Sequence, residues 1–349
     1  MKYIYPIRLE ASLHETIWGG RLLERDGWKK LPDDDVQIGE SWETEISTIV
    51  QNGPYQGQTL KTLVDELGGD LLGAHAMKIF GPRFPLLAKF IDANAKLSVQ
   101  VHPDDSYAAR YENGKLGKTE FWYILAAEPG ASIVHGFKTT PSPTEVFQSI
   151  ENVTLEDLIH EEPVQAGDVV FVPAGTVHAI GAGIMLYELQ EYSDVTYRMY
   201  DYGRPGADGK PRQLHIERSL DVTDYRVSPR VKANPLKLAG GSGYDERCLV
   251  ACKYFVTHEL TLTAKQGQPA TINAHTDGSC VILSSLGAEI EVRYGSDFQE
   301  SEKLSRGQTM VLPASLGRYR IIGTGSLLSS YVPEANAPIL RQWEAANFA

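Results

Sequence analysis

Two short stretches of this chain and one isolated acid could together bind a metal. Ser98-Val99-Gln100-Val101-His102 supplies an amide oxygen and an imidazole, residues 167–178 end on the imidazole of His178, and Glu120 adds a carboxylate. Mixed nitrogen and oxygen donors with no thiolate suit zinc in an open catalytic site, or manganese, iron or cobalt, better than a closed structural zinc. Side chains alternate across a strand, so an extended 98–102 segment puts Ser98, Gln100 and His102 on one face and Val99 and Val101 on the other. Two ligands thereby reach one cavity without a helix. Val169-Val170-Phe171-Val172 followed by Pro173-Ala174-Gly175 reads as a strand and a turn that presents His178. Glu120 opens the strand-like Glu120-Phe121-Trp122-Tyr123-Ile124-Leu125. His14, His75, His160, His215 and His258 stand outside any such pattern and read as surface or hydrogen-bonded core residues.

The elements that must hold these ligands are strands. Short runs at 84–91, 96–102, 121–126, 132–136, 169–172 and 183–190 are separated by turn residues such as Glu128-Pro129-Gly130. That is the rhythm of antiparallel sheets in a sandwich or barrel. Helical spacing appears at 59–67, where Leu60, Leu63, Val64 and Leu67 share a face. It recurs at 142–160, with a break near Asn152, and at 211–224, where Pro211 suits a first turn. These helices read as insertions on a β core. Residues 226–245, with Asn234-Pro235 and Gly240-Gly241-Ser242-Gly243, have the composition of a flexible linker or exposed loop. Strands resume at 254–262, 270–273, 280–284, 289–294, 309–312 and 319–322.

Residues 307–318 align without gaps on 167–178: Gly307 meets Gly167, Pro313 meets Pro173, and Arg318 stands where His178 does. Arginine stays protonated and offers a metal no lone pair. The second copy keeps the fold and has lost the ion, with His275 as a remnant of the other motif.

Composition excludes several classes. The 349 residues allow two ordinary domains, and 42% hydrophobic with 22% charged residues is globular. No apolar run is long enough for a membrane helix, and the start of the chain lacks a signal-peptide pattern. Cys248, Cys252 and Cys280 cannot all pair and form no Cys-x-x-Cys motif, so free thiols in a reducing cytoplasm are expected. A net charge of −12 argues against nucleic acid. It leaves room for a small anion held by a few cations focused in one cavity.

The 167–178 segment resembles the second motif of the cupin superfamily, and Gln100-Val101-His102 with Glu120 looks like a variant of its first motif, Gln-x-His replacing His-x-His. These departures, with Phe84-Pro85-Leu86-Leu87-Ala88-Lys89-Phe90-Ile91-Asp92-Ala93, Lys118-Thr119-Glu120 and Ser193-Asp194-Val195-Thr196-Tyr197-Arg198, resemble the type I mannose-6-phosphate isomerases over most of residues 1–225. The resemblance implies an all-β fold of two cupin-type jelly-roll domains with short helical insertions. The first, 1–230, would be catalytic and carry insertions near 142–160 and 211–224; the second, 231–349, would be degenerate and metal-free. It implies one divalent ion per chain, zinc first, on Gln100, His102, Glu120 and His178.

The implied reaction is an aldose–ketose isomerisation of mannose 6-phosphate and fructose 6-phosphate through an enediol. Lys118 and Arg198 would stabilise charge on the substrate oxygens. Asp194, Glu188 or Lys118, the last if burial depresses its pKa, would carry the proton. A histidine often precedes the lysine of Lys-x-Glu in longer relatives; here that position is Gly117. The family's offsets assign the phosphate to Lys89 and Ser98. The expected partner is thus a phosphorylated hexose, with monomer and homodimer both open. The rival readings are a non-catalytic sugar-binding cupin and an isomerase of another phosphorylated hexose.

Overall fold

The computed structural model describes residues 2–33, 35–206, 209–228, 230–287 and 289–348. Strands β1 (Ile7–Arg8), β2 (Ser12–Gly20) and β3 (Ile38–Trp42) come first. A set of eight follows: β4 (Leu86–Ala93), β5 (Val99–Val101), β6 (Glu120–Ala127), β7 (Ser132–Phe137), β8 (Ile159–Pro163), β9 (Val169–Val172), β10 (His178–Ile180) and β11 (Ile184–Glu191). Next are β12 (Tyr197–Tyr200), β13 (Leu236–Lys237) and β14 (Tyr244–Ala251). A second eight closes the series: β15 (Val256–Leu262), β16 (Ala270–His275), β17 (Val281–Ser285), β18 (Ile290–Tyr294), β19 (Glu300–Leu304), β20 (Thr309–Leu312), β21 (Arg318–Gly323) and β22 (Gly325–Tyr331). The protein is mostly β, as its alternating apolar runs predict.

The two sets share one connectivity. The first pairs as β4-β11-β6-β9 and β5-β10-β7-β8, the second as β15-β22-β17-β20 and β16-β21-β18-β19. The 167–178 and 307–318 segments fall on matching elements, β9 with β20 and the first residues of β10 and β21. Register adds a point that alignment alone leaves open. His178 lies opposite Gln100, and Arg318 lies opposite His275, so His275 stands in the place of Gln100.

Flanking strands extend the sheets. β2 and β3 continue the first set beyond β4, β12 lies beside β5, and β14 and β13 lie beyond β15. β1 crosses over and pairs with β20, placing Ile7 opposite Val311. The two sets also share one apolar cluster, in which Phe90, Phe121 and Tyr187 meet Phe255, Leu283 and Leu328. Strands β4 and β11 are buried along their whole length; Lys89 and Glu188 face an interior cavity, while Asp92 and Glu191 accept from the backbone amides of Leu22 and Thr119.

The helices are α1 (Leu22–Arg25), α2 (Leu60–Leu67), α3 (Gly69–Phe80), α4 (Asp105–Tyr111), α5 (Pro143–Glu151), α6 (Ile216–Val222) and α7 (Pro338–Phe348). α2 buries the expected face, and the Thr59 hydroxyl caps it by accepting from the Thr62 amide. Segment 142–160 differs from its reading as broken helix. A capping box of Ser142 and Glu145 starts α5, which stops at Glu151; a 3-10 turn and then β8 follow, because 159–163 zip onto β7. Segment 211–224 is helical only from Ile216, since Pro211 bridges Pro205 and Arg212 is drawn onto Asp201.

The expected linker at 226–245 is pinned among its described residues. Lys232 bridges Val170 and pairs with Asp168 at 3.0 Å, and the Asn234 amide donates to Asn347 of α7 at 2.6 Å. Strands β2 and β3 and helices α3, α4 and α7 have no counterpart in the sequence reading. No described helix is long and apolar enough to cross a membrane.

Candidate active site

The site lies between the two sheets of the first set. Residues directly opposite in an antiparallel pair point to the same face. Arg198 of β12, Gln100 of β5 and His178 of β10 therefore form one row across one sheet. Trp42, Lys89, Glu188 and Trp122, on β3, β4, β11 and β6, form a row across the other. His102 follows β5 directly. The Gly175 amide donates to its carbonyl oxygen at 2.9 Å, which ties the turn presenting His178 to the second ligand strand. Gly175 holds φ at +89°, and a side chain there would press on the Val222 carbonyl oxygen.

His102, Glu120 and His178 are buried with their ligating atoms within 4.8 Å of one another, the only such group of three among the described residues. Glu120 Oε2 lies 3.6 Å from His102 Nε2, and Oε1 lies 3.5 Å from His178 Nε2. Both imidazoles direct Nδ1 at a backbone carbonyl oxygen, His102 to Val195 at 3.0 Å and His178 to Thr176 at 2.8 Å. With the proton on Nδ1, each Nε2 turns a lone pair inward. Neither Nε2 has a hydrogen-bond partner although both are buried. A buried polar atom without a partner costs about 1–3 kcal/mol. Two such atoms converging on one carboxylate fit a bound cation.

The electrostatics agree. Burial holds His102 well below its usual range and brings His178 down to about 3, so both rings stay neutral and able to ligate. Burial, then the charge of Glu188, pushes Glu120 up to about 7, against the pull of Lys118 and Lys89. A cation between the rings would favour the ionised carboxylate. Lys118 Nζ stands 3.0 Å from Glu120 Oε2, a buried pair and not the surface one that Lys-x-Glu spacing also allows.

A cavity of about 230 Å³ opens beside this group, and Ser98, Gln100, Lys118, Glu188, Asp194, Arg198 and Lys89 all line it. The structure thus brings together every residue singled out from sequence, in unequal settings. Glu188 is buried and accepts from Trp122 Nε1 at 3.0 Å. Burial would raise its pKa, but Lys89 and Lys118 outweigh that and lower it. Lys89 stands between Glu188 at 3.1 Å and Glu40 at 3.3 Å, over the Trp42 ring. Burial would lower its pKa, and the carboxylates of Glu188, Glu40 and Glu120 together raise it. Asp194 sits at the mouth, 65% exposed, paired with Lys115. Arg198 Nη1 donates to the Gln213 carbonyl oxygen, and its Nε is buried without a partner.

Glu40, Trp18, Trp42 and Arg212 also line the cavity and were not anticipated. The first three lie on β2 and β3, ahead of the region where strands were read. Their only sequence signal is an aromatic, polar alternation. Arg212 falls in the segment read as the start of a helix but lies in the loop before α6, and its residue type alone did not mark it as a site residue.

Residues 7–123 match the family model for the catalytic domain of type I phosphomannose isomerase. The chain is 34% identical to mannose-6-phosphate isomerase of Streptococcus mutans serotype c over 94% of its length and 99% of the relative. It is 35% identical to mannose-6-phosphate isomerase ManA of Bacillus subtilis over the same shares. The crystal structure of the mannose 6-phosphate isomerase from Bacillus subtilis superposes with a TM-score of 0.80 at 32% identity, covering 93% of this chain and 99% of that one. A putative mannosephosphate isomerase from Archaeoglobus fulgidus, at 21% identity and a TM-score of 0.71, shares the fold. With its buried His-Glu-His group and this similarity along nearly its whole length, the chain belongs to the type I phosphomannose isomerase family.

Proposed function

We propose that this chain interconverts mannose 6-phosphate and fructose 6-phosphate through an enediol. The observation that carries the reading is a buried His102, Glu120 and His178 group beside a cavity lined by Lys118, Arg198 and Glu188, with Lys118 reaching Glu120 at 3.0 Å. Family membership supplies the substrate class. A divalent ion, zinc first, held by these three residues and Gln100, would supply Lewis-acid polarisation of the substrate oxygens.

The chain's own residues supply the rest. Isomerisation moves a proton between the first and second carbons while negative charge grows on the neighbouring oxygen. Arg198 and Lys118 offer fixed positive charge to that oxygen from opposite walls. Glu188 is the better proton carrier of the two carboxylates. It is buried, kept ionised by Lys89 and oriented by Trp122, whereas Asp194 is exposed and engaged with Lys115. Lys89 holds Glu188 in place, and the Ser98 hydroxyl is free to donate to the phosphate. For the architecture, the repeated connectivity supports two cupin-type jelly rolls, catalytic over 1–230 and degenerate over 231–349, with β1 lent to the second.

The test is turnover of the phosphorylated hexoses before and after chelation, with metal content by elemental analysis. Mannose 6-phosphate should turn over, stop on chelation and resume with zinc. Turnover of glucose 6-phosphate instead would reassign the substrate. No turnover at full metal content would leave a sugar-binding protein.

A further inference from the structure

The second set encloses a cavity of about 300 Å³ in which the isomerisation has no part. Its lining residues come two apart on each strand: His258 and Leu260 on β15, Tyr319 and Ile321 on β21, Ser329 and Tyr331 on β22. Such spacing turns one face of each strand inward. Apolar Leu260, Ile272 and Ile321 therefore share this interior with hydroxyl and imidazole groups. No lysine or arginine is among the described residues that line it.

Three of the polar groups lack partners. His258 directs Nδ1 at Glu246 Oε1, 2.5 Å away, and its buried Nε2 has no hydrogen-bond partner. The carboxylate fixes a proton on Nδ1, so the neutral ring offers the lone pair of Nε2 as an acceptor. The Tyr331 ring packs edge-on against the imidazole, with centroids 5.8 Å apart, and holds it in place. The hydroxyls of Tyr319 and Tyr331 make no hydrogen bond among the described residues. Burial, then the charges of Asp277 and Glu246, raises the Tyr319 pKa, so its hydroxyl stays neutral and can both donate and accept. Both carboxylates of the lining already face imidazoles, Glu246 with His258 and Asp277 with His275, each at 2.5 Å. The groups left free are uncharged.

We propose that this cavity binds a neutral polyhydroxylated ligand, an unphosphorylated hexose or hexitol, with one ligand hydroxyl donating to His258 Nε2 and others bonding to Tyr319 and Tyr331. A sugar hydroxyl both donates and accepts, which matches an imidazole lone pair set beside two phenols. The C–H faces of a sugar suit the aromatic rings and the aliphatic side chains between them. A phosphate monoester does not fit, because no fixed cation meets it and two carboxylates repel it. An organic ammonium fits less well, since the carboxylates it needs are already engaged. The site lies in the set without the His-Glu-His group and stands whether or not the chain is an isomerase.

The experiment titrates D-mannose, D-fructose and sorbitol separately into the metal-loaded protein by calorimetry, for the natural chain, Tyr319→Phe and His258→Ala. At least one of the three should bind with a Kd on the order of a millimolar, and should still bind with mannose 6-phosphate in excess. Tyr319→Phe, which removes one hydroxyl, should weaken it about threefold or more, and His258→Ala about tenfold or more. Both variants should keep the natural kcat on mannose 6-phosphate. Unfolding midpoints check the fold, and Tyr319→Phe alone decides if His258→Ala does not fold. No binding of any of the three, displacement by mannose 6-phosphate, or undiminished affinity in the variants overturns the proposal. Tighter binding of choline than of every sugar overturns the ligand class. Absence of turnover in the natural chain would defeat the isomerase reading, while the titrations would still judge this second site.

Discussion

The two eight-strand sets are the same architecture with different chemistry. In the first, Gln100 and His178 face each other across β5 and β10; in the second, the matching pair is His275 and Arg318. Both sets enclose a cavity, and the second, about 300 Å³, is lined by His258, Glu246 and Tyr319 among others. Yet only the first brings three ligating side chains within reach of one another among the described residues. A fold of this kind offers a place for an ion; whether one fits depends on lone pairs at three or four register positions. Replacing His178's equivalent by a guanidinium removes the lone pair and adds a charge, and the strands pair regardless.

That contrast breaks most sharply at the ligands. His178→Ala should reduce bound metal from one equivalent to none after dialysis, whereas Arg318→Ala should leave metal content unaltered. Elemental analysis of the two proteins decides it, and metal retained in His178→Ala would refute the ligand assignment.

The next largest effect concerns the row that the first set alone extends through β12. Arg198→Ala should lower kcat on the order of a hundredfold, the scale of losing a preorganised donor to a developing negative charge, with metal content intact. Unchanged kcat at full metal would remove Arg198 from catalysis.

The smallest effect lies at the ends of the matching strands β11 and β22, Glu191 in the first and Tyr331 in the second. Burial, then the nearby Asp105, pushes Glu191 up to about 8. The folded protein therefore keeps a proton that the unfolded chain releases near pH 4.5. Stability should fall as pH rises from about 4.5 to about 8, since the folded state binds more protons in that window. Glu191→Gln should flatten that dependence, raising the melting temperature at pH 8 relative to the natural chain by a few degrees. Parallel pH profiles for the two proteins would show that Glu191 is ionised in the fold.

Local pattern made much of this legible. Alternation along 98–102 put Gln100 and His102 on one face, and the Pro173-Ala174-Gly175 turn announced His178. The repeat at 307–318 declared the second set and the arginine at the position matching His178. The reading of 142–160 failed after Glu151 because a strand partner, β7, outweighs local helical spacing. The linker at 226–245 was misjudged for a similar reason: Lys232 and Asn234 are held by Val170, Asp168 and Asn347, all distant in sequence.

By itself, then, the sequence determined the candidate ligand types, their faces, the β class and the arginine that stands in the second copy where His178 stands in the first. Those properties depend on side-chain chemistry and on a two-residue period, both local. Only the tertiary structure decided where charge is in excess. Lys89 and Arg212 are each one cation in the sequence. Cross-strand register sets the first between Glu188 and Glu40, while a loop closing on Asp201 sets the second beside Arg198. The energy of a charge depends on its neighbours in space and on its burial, and neither is written in residue spacing.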